Sequence, residues 1–194
     1  LSFWKKDRVL LDPFCGSGTI PIEAAMLARN IAPGLSRKFA CEQWQRIGEK
    51  RWKEARIAAY EAIQYDVTPE IYGSDIDPHT ISLAKENAIK AGVDDCIQFD
   101  VKSCLDVKLP KKYGVMITNP PYGERIGELK EVEHLYRVLG EIMRQDNTWS
   151  CYVITSMEYF ESLFGRKADR KRKLFNGRIK TDYYQFEGPR PPKK

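Results

Sequence analysis

Short apolar runs and helical stripes alternate along most of this chain. Residues 8–12, 71–74, 96–99, 113–118 and 150–155 contain runs short enough to be buried strands. Between them, apolar residues recur at helical spacing over residues 18–29, 78–91 and 132–143, and residues 157–164 form a shorter helical segment. Strands that alternate with helices predict an α/β fold with a mostly parallel sheet.

The last part of the chain follows a different pattern. Residues 171–175 and 178–186 flank Asn176-Gly177, a strong hairpin signal, so we expect an antiparallel pair at one edge of the sheet and seven strands in total. Six basic residues lie between Arg166 and Lys173. They either protect a solvated edge strand from aggregation or contact phosphates, and the sequence leaves both interpretations open.

Residues 30–68 lengthen the connection between the first helix and the second strand. Residues 30–45 are irregular, with a turn at Pro33-Gly34, and residues 45–64 predict a charged helix. Its apolar face is formed by Trp52, Ala55, Ala59, Ala62 and Ile63. We expect this helical insertion to cover the sheet, with RNA contact as the alternative.

Composition sets broad limits. The 194 residues, 42% of them hydrophobic, suffice for one domain with a sizeable core, and no run approaches the ~20 apolar residues of a membrane span. The net charge of +5 permits a polyanionic partner without requiring one. We therefore expect no membrane association.

Cysteine and histidine usage gives a location and excludes a metal site. The five cysteines contain no C-x-x-C pair, which is typical of reduced thiols in a cytoplasmic protein. The two histidines, His79 and His134, have no cysteine or histidine at metal-ligand spacing. We expect neither to be a ligand.

The first candidate site is the stretch Asp12-Pro13-Phe14-Cys15-Gly16-Ser17-Gly18-Thr19, which lies between a strand and a helix. Its two glycines allow a ligand to approach the backbone, and the helix that follows offers free N–H groups. Asp12 can accept a hydrogen bond from a cation or hydroxyl. The spacing is neither G-x-G-x-x-G nor a P-loop, so a pyrophosphate site is disfavoured. A ligand-free turn is the alternative.

The second candidate site is Asn119-Pro120-Pro121-Tyr122, which follows the fourth strand. In isolation it would be a turn. Parallel strands end at the same edge of a sheet, so we expect this loop beside the first one. Asp75 ends the second strand, where an acid can hold both ribose hydroxyls of a nucleoside. Asp77, before Pro78, is a helix N-cap.

Together, DPFCGSGT and NPPY resemble the class I S-adenosylmethionine-dependent methyltransferases that methylate amines. The longer strings LLDPFCGSGTIPIEAAMLARNIAPG, FACEQW and NPPYGERIG are similar to the THUMP-associated RNA methyltransferases, among them the bacterial 23S rRNA guanine-N2 group. The resemblance implies a Rossmann-like α/β fold, S-adenosylmethionine as cofactor with S-adenosylhomocysteine as product, and RNA, in particular ribosomal RNA, as substrate.

The resemblance also implies roles for individual residues. Ile76 would pack against adenine, and Asp100 would accept a hydrogen bond from the adenine amino group, with Asp106 as its rival. The implied cofactor-binding residues are Asp12, Pro13, Cys15, Gly16, Ser17, Gly18, Thr19, Asp75, Ile76, Asp100 and Asn119. The implied catalytic residues are Asn119, Pro120 and Tyr122. We interpret Cys15 as a small residue that fills the loop rather than as a nucleophile.

These residue types suit methyl transfer to a base amine. The Asn119 side-chain oxygen and the Pro120 carbonyl could accept the two amine hydrogens, and Tyr122 offers a face for stacking. Neither a metal nor a strong base is required. Residues 123–127 extend this loop, with Arg125 as a candidate phosphate contact.

Three other functions remain open at this point. They are N6-methylation of adenine in RNA or DNA, methylation of a protein glutamine, and non-catalytic RNA binding. The resemblance assigns residues 1–188 to the methyltransferase domain and residues 189–194 to a loose tail. It also leads us to expect an RNA-binding THUMP domain before Leu1 in a longer protein.

Overall fold

The computed structural model describes residues 1–123 and 129–192. All strands in this part of the chain belong to one seven-stranded sheet. The strands are β1 (Leu10–Asp12), β2 (Ile71–Asp75), β3 (Ile97–Val101), β4 (Val115–Thr118), β5 (Ser150–Thr155), β6 (Arg170–Asn176) and β7 (Ile179–Phe186). The helices are α1 (Thr19–Ala28), α2 (Glu49–Glu61), α3 (Pro78–Ala91), α4 (Leu129–Gln145) and α5 (Phe160–Phe164). Three short 3₁₀ helices span Ala40–Gln43, Asp94–Cys96 and Cys104–Asp106.

The strand order is β3-β2-β1-β4-β5-β7-β6. Strands β1 to β5 are parallel, and β7 pairs antiparallel with both β5 and β6. This order confirms the predicted Rossmann-like fold with a C-terminal hairpin. The chain builds outward from β1 to β3 and then returns to β4 on the other side of β1. The switch point between β1 and β4 is where open α/β sheets bind ligands.

The sheet separates two apolar clusters. Leu10, Ile71 and Val115 pack with α1 and α3 on one face, while Leu11 and Met116 pack with α4 and α5 on the other. Adjacent residues of a strand point to opposite faces, so a strand buried on both faces has no polar side. This explains why the runs in β1, β4 and β5 are continuously apolar.

The predicted ends of α3 are confirmed. The Asp77 side chain accepts a hydrogen bond from the His79 backbone N–H at 2.9 Å, and Pro78 is the first helical residue. Gly92 ends the helix in the left-handed conformation, with φ of 70°.

Strand β4 begins at Val115, two residues later than the sequence predicts. Tyr113 has a positive φ of 61°, which is incompatible with an extended strand. Gly114 then lies directly against the indole of Trp149, where an added Cβ would come within 2.2 Å of the ring. Residues 113–114, which were expected to begin the strand, therefore lie outside it, and Gly114 packs against the Trp149 indole.

The prediction that the inserted helix covers the sheet is wrong. No residue of α2 is buried, and its partner is the 3₁₀ helix Ala40–Gln43 rather than a strand. Trp52 stacks on Phe39 with ring centroids 6.2 Å apart. Arg56 donates to the backbone oxygens of Leu35 and Arg37 and pairs with Glu42. The preceding loop therefore covers Trp52, while Ala55 and Ala62 of the predicted apolar face are exposed.

The predicted hairpin is confirmed, but its turn is displaced by one residue. Asn176 pairs with Ile179, so the connection is Gly177-Arg178. Gly177 has a positive φ of 61°, as the first central residue of a type II′ turn requires. Within residues 1–123 and 129–192, no helix is long and apolar enough to cross a membrane.

Candidate active site

A buried hydrogen bond joins the two candidate loops at the switch point. Asp12 ends β1 and is 1% exposed. Its Oδ1 accepts a hydrogen bond from the Thr118 hydroxyl at 2.7 Å and another from the Phe14 N–H at 3.2 Å. Thr118 is the last residue of β4 and directly precedes Asn119. The contact therefore fixes the glycine loop relative to the Asn119–Tyr122 loop.

Burial gives Asp12 an unusual acidity. Loss of solvation raises the pKa of its carboxyl to about 7, although the bonds from Thr118 and Phe14 act in the opposite direction. Near neutral pH, this carboxyl is close to its titration point. A cation placed beside it would favour the ionised form.

The two loop glycines serve different purposes. Gly16 and Gly18 have positive φ of 53° and 86°. An added Cβ on Gly18 would lie 3.1 Å from side-chain atoms of Ile22, Ala84 and Phe99, so this glycine is required by packing. An added Cβ on Gly16 would meet no atom within 4 Å and would extend into the open space over the loop. That space is where a ligand can contact the loop backbone.

Gly73 in β2 is a residue of this site that sequence reasoning missed. An added Cβ there would lie 2.8 Å from the Phe99 ring and 3.2 Å from the Cys15 Cβ. Only glycine lets Cys15 pack this closely to the sheet. Cys15 is 6% exposed, and burial raises the pKa of its thiol, so it is an unreactive packing residue as interpreted. A glycine inside a predicted strand was the available signal.

Asp75 links the glycine loop to the end of β2. Its Oδ2 accepts a hydrogen bond from the Gly16 N–H at 3.2 Å, and its Oδ1 accepts one from the Asp77 N–H at 3.1 Å. The neighbouring Ile76 side chain is 73% exposed. A carboxylate beside an exposed apolar side chain matches the hydroxyl-bearing ribose and the flat base of a nucleoside.

Asp100 lies in β3, opposite Ser74 of β2. Its Oδ2 accepts a hydrogen bond from Gln98 at 3.1 Å. Asp100 and Ser74 line a cleft of about 170 Å³, and the buried Ser74 hydroxyl has no hydrogen-bond partner among the described residues. The rival Asp106 lies in a 3₁₀ helix and does not line this cleft. The lining of this cleft does not include Gly16, Asp75 or Ile76, so the role of Asp100 toward a base stays a prediction.

The Asn119–Tyr122 loop is held by hydrogen bonds on both sides. The Tyr122 hydroxyl donates to Asn119 Oδ1 at 2.6 Å. In turn, it accepts a hydrogen bond from the Asn176 amide at 3.4 Å. Pro120 is buried, while Asn119 is exposed. Since an amide oxygen can accept two hydrogen bonds, Asn119 can accept a second from a ligand.

Tyr136 of α4 holds the same loop from below and was predicted only as part of an apolar helix face. Its hydroxyl donates to the Pro121 carbonyl at 2.8 Å and is 2.7 Å from the Thr155 hydroxyl. Tyr136 is fully buried, and burial raises its pKa to about 12, so the hydroxyl remains a donor. The sequence signal was a tyrosine at a position where a purely apolar residue would fill the core.

The other predicted residues occupy the same loops or lie outside the described residues. Pro13 is buried, the Ser17 carbonyl accepts a hydrogen bond from Asn87 at 3.1 Å, and Thr19 is the exposed first residue of α1. Arg125 lies outside the described residues. Among residues 1–123 and 129–192, no group of three or more histidine, cysteine, aspartate or glutamate side chains could hold a metal ion.

This strand order, with a glycine loop after β1, an acid at the end of β2 and an Asn-Pro-Pro-Tyr loop after β4, defines a class I S-adenosylmethionine-dependent methyltransferase. The residues present suit that cofactor, since they combine an open backbone cradle at Gly16, the Asp75 carboxylate and the apolar Ile76. The chain belongs to the family described as RMKL-like, methyltransferase domain, whose model matches residues 1–185.

Similar proteins support this assignment. YpsC of Bacillus subtilis, a candidate RNA methyltransferase, is 50% identical over 186 residues, which are 96% of this chain and 48% of YpsC. The ribosomal RNA large subunit methyltransferase K/L of Shewanella woodyi is 44% identical over 94% of this chain and 26% of its own length. The crystal structure of SMU.472, a candidate methyltransferase complexed with SAH, covers 98% of this chain and 51% of that chain, at 44% identity and a TM-score of 0.93. The chain thus spans between 26% and 51% of the length of these proteins.

Proposed function

We propose that this chain transfers a methyl group from S-adenosylmethionine to the exocyclic N2 amine of a guanine in RNA, with 23S ribosomal RNA as the substrate. The observation that carries the proposal is the Asp12–Thr118 contact of 2.7 Å, which joins the cofactor loop to the Asn119–Tyr122 loop. The RNA substrate is supported by the names of the relatives YpsC and methyltransferase K/L.

Positioning is the main task of the protein in this reaction. When bound, S-adenosylmethionine supplies a methyl group already activated by its sulfonium charge. An exocyclic amine is a weak nucleophile because its lone pair is delocalised into the base. Asn119 Oδ1 and the Pro120 carbonyl accept the two amine hydrogens, which localises the lone pair and directs it at the methyl group. The proton leaves to water after transfer.

The contacts around the loop suit this task. The bond from the Tyr122 hydroxyl fixes the Asn119 side chain, and the bond from Tyr136 to the Pro121 carbonyl fixes the backbone. Two consecutive prolines restrict the remaining backbone freedom. The Tyr122 ring is only partly buried and can stack on the target base.

The proposal is tested with the full-length protein and methyl-labelled S-adenosylmethionine. Unmodified 23S ribosomal RNA, transfer RNA, DNA and total protein are the substrates, and labelled nucleosides are separated after digestion. We expect the label in N2-methylguanosine from 23S ribosomal RNA. We also expect Asn119→Ala to reduce transfer by about 100-fold or more while leaving the affinity for S-adenosylhomocysteine within a few-fold of the wild type.

Each other result points to a different function. Label in N6-methyladenine would show that the target base is adenine rather than guanine, because Asn-Pro-Pro-Tyr loops suit both amines. Label in protein would indicate a glutamine amide as the acceptor. Cofactor binding without label in any substrate would indicate a non-catalytic role. Undiminished transfer by Asn119→Ala would refute the proposed mechanism.

A further inference from the structure

The tip of the β6–β7 hairpin extends beyond the rest of the sheet on the side of the active site. Strand β5 ends at Thr155, which pairs with Asp182 of β7. Residues Ile179–Thr181 of β7 and their partners Leu174–Asn176 of β6 therefore lie beyond the carboxyl end of β5. Three residues of strand correspond to about 10 Å. The carboxyl end of β4, next to β5, carries the Asn119–Tyr122 loop.

A hydrogen bond connects this tip to the Asn119–Tyr122 loop, the candidate catalytic loop. Asn176 donates from its side-chain amide to the Tyr122 hydroxyl at 3.4 Å, and that hydroxyl donates to Asn119 at 2.6 Å. The hairpin tip is therefore a wall of the space in front of Asn119.

The wall presents one large exposed aromatic residue. Phe175 is 73% exposed, although phenylalanine is a residue type usually found in the interior. It is the cross-strand partner of Lys180. Alternation along the strands places Phe175, Lys173 and Lys180 on the same face as Tyr184, which packs with α4 and α5. This is the side of the sheet to which the chain continues after the catalytic loop.

From the start of β6 to Thr181 of β7, the charged residues of the hairpin are all basic. Residues 170–181 contain six basic residues and no acidic residue. Arg170 pairs with Glu187 and Lys171 with Asp182. Within residues 1–123 and 129–192, no carboxylate lies within ion-pair distance of Lys173, Arg178 or Lys180. Lys173, the cross-strand partner of Asp182, borders the tip, and Arg178 and Lys180 lie in it, so these three cations are available to an anionic partner.

We propose that this hairpin tip binds the single-stranded RNA next to the target base, an inference that rests on the proposed function. Phe175 stacks on a base adjacent to the one held by Tyr122, while Lys173 and Lys180 contact the flanking phosphates. An exposed aromatic residue among unpaired cations is the usual surface for single-stranded nucleic acid. If this strand were only an edge protected from aggregation by its charges, the basic residues would suffice and an exposed phenylalanine would have no purpose.

The test measures binding of the unmodified 23S ribosomal RNA transcript to the full-length protein by fluorescence anisotropy, alongside methyl transfer. Phe175→Ala should raise both the RNA Kd and the KM for RNA about tenfold, with kcat and the S-adenosylhomocysteine Kd within twofold. Phe175→Trp should retain wild-type binding, and Phe175→Leu should behave like the alanine variant. Ile89→Ala on α3, where the side chain is 63% exposed, is the matched control and should have no effect.

The cations are tested through salt dependence. Replacing Lys173 and Lys180 by alanine should reduce the slope of log affinity against log salt by about 1.4, or 0.7 for each lost phosphate contact with a single strand. Lys85→Ala on the exposed side of α3 is the control. An unchanged slope would show that Lys173 and Lys180 do not contact phosphates.

The two proposals fail in different ways. If the wild type methylates RNA and Asn119→Ala does not, but Phe175→Ala binds RNA normally, the hairpin inference is wrong and the proposed function stands. If Phe175→Ala weakens RNA binding but no RNA is methylated, the proposed function is wrong and the hairpin inference stands. Equal loss of affinity in Phe175→Ala and Phe175→Trp would also overturn the stacking role. Absence of any RNA binding by the wild type would refute both.

Discussion

The two sides of the switch point are built in opposite ways. On the side of β1, β2 and β3, the candidate cofactor groups are bonded to one another: Asp12 is 1% exposed, and Asp75 accepts hydrogen bonds from two backbone N–H groups. Ile76 is an exposed apolar side chain on this side. On the side of β4, β7 and β6, Asn119, Phe175 and Lys180 are all exposed. The first side suits one small rigid ligand, whereas the second suits a large polyanion bound through many side chains.

This difference has a consequence for mutations. Changes on the cofactor side should act through the shape of the ligand space at Gly16 or through the stability of buried groups such as Asp12. Changes on the substrate side should act through affinity or rate and leave the fold intact. The predictions below challenge this division, beginning with the largest effect.

Gly16→Ala should weaken binding of S-adenosylhomocysteine by about 10- to 100-fold, because the added methyl group enters the open space over the loop. Gly92→Ala is the matched control, since Gly92 also has a positive φ and no atom within 4 Å of an added Cβ. Both variants should lose about 1 kcal/mol of unfolding free energy through backbone strain. Calorimetric titration and thermal unfolding distinguish the effects. Equal cofactor affinities in the two variants would show that Gly16 lies outside the cofactor site.

Tyr136→Phe should lower kcat about tenfold, because the Pro121 carbonyl loses the bond that fixes the Asn119–Tyr122 loop, in which we propose the catalytic groups lie. The affinity for S-adenosylhomocysteine should not change. Tyr136 is thus a positioning residue on the substrate side of the site.

Tyr184→Phe is the control for this prediction. Tyr184 is equally buried, and its hydroxyl donates to the Met157 carbonyl at 3.2 Å rather than to the catalytic loop. Both variants should lose about 1 kcal/mol of stability through a lost buried hydrogen bond. If kcat falls equally in both, the loss reflects general loosening of the core and not the loop.

Asp12→Asn should remove a pH dependence of stability. The pKa of Asp12 is raised to about 7, above the ordinary value of 3.8, so its protonated form favours the fold. The resulting stability is fully present below about pH 4 and is lost as the pH rises through 7. Asparagine keeps the oxygen that accepts hydrogen bonds from Thr118 and Phe14 but never ionises.

The measurement is thermal unfolding of cofactor-free protein at several pH values between 5 and 8. The stability of Asp12→Asn relative to the wild type should rise by about 2–3 kcal/mol, or about 6 °C, as the pH rises from 5 to 8, because only the wild type loses stability over this range. A constant difference across the pH range would mean that Asp12 does not titrate there. The ionised Asp12 carboxylate destabilises the empty site, as expected for a group whose role is to bind a cationic ligand.

Local sequence patterns were sufficient for most of the fold. The apolar runs of β1 and β5, the cap at Asp77 and the glycine at position 177 each act within a few residues, so the elements could be predicted with their approximate ends. The glycine loop and the Asn119–Tyr122 loop were recognisable for the same reason. Each consists of consecutive residues whose chemistry is evident from the sequence.

Contacts between distant residues required the tertiary structure. The Asp12–Thr118 bond joins residues 106 positions apart, the Tyr136–Pro121 bond spans 15, and the Asn176–Tyr122 bond spans 54. Neither spacing nor periodicity encodes such pairings. The inserted helix α2 illustrates the same limit, because its apolar face predicted burial but could not specify what would cover it.

The sequence by itself determined the class of fold, the order of its elements and the two loops at the carboxyl edge of the sheet, because these depend on local conformational preference and hydrophobic periodicity. Only the tertiary structure decided that Asp12 is buried near its titration point, that Tyr136 bonds to the Asn119–Tyr122 loop and that Asn176 of the hairpin contacts that loop. Those properties depend on strand register and on solvent exclusion, which arise only when distant segments pack together.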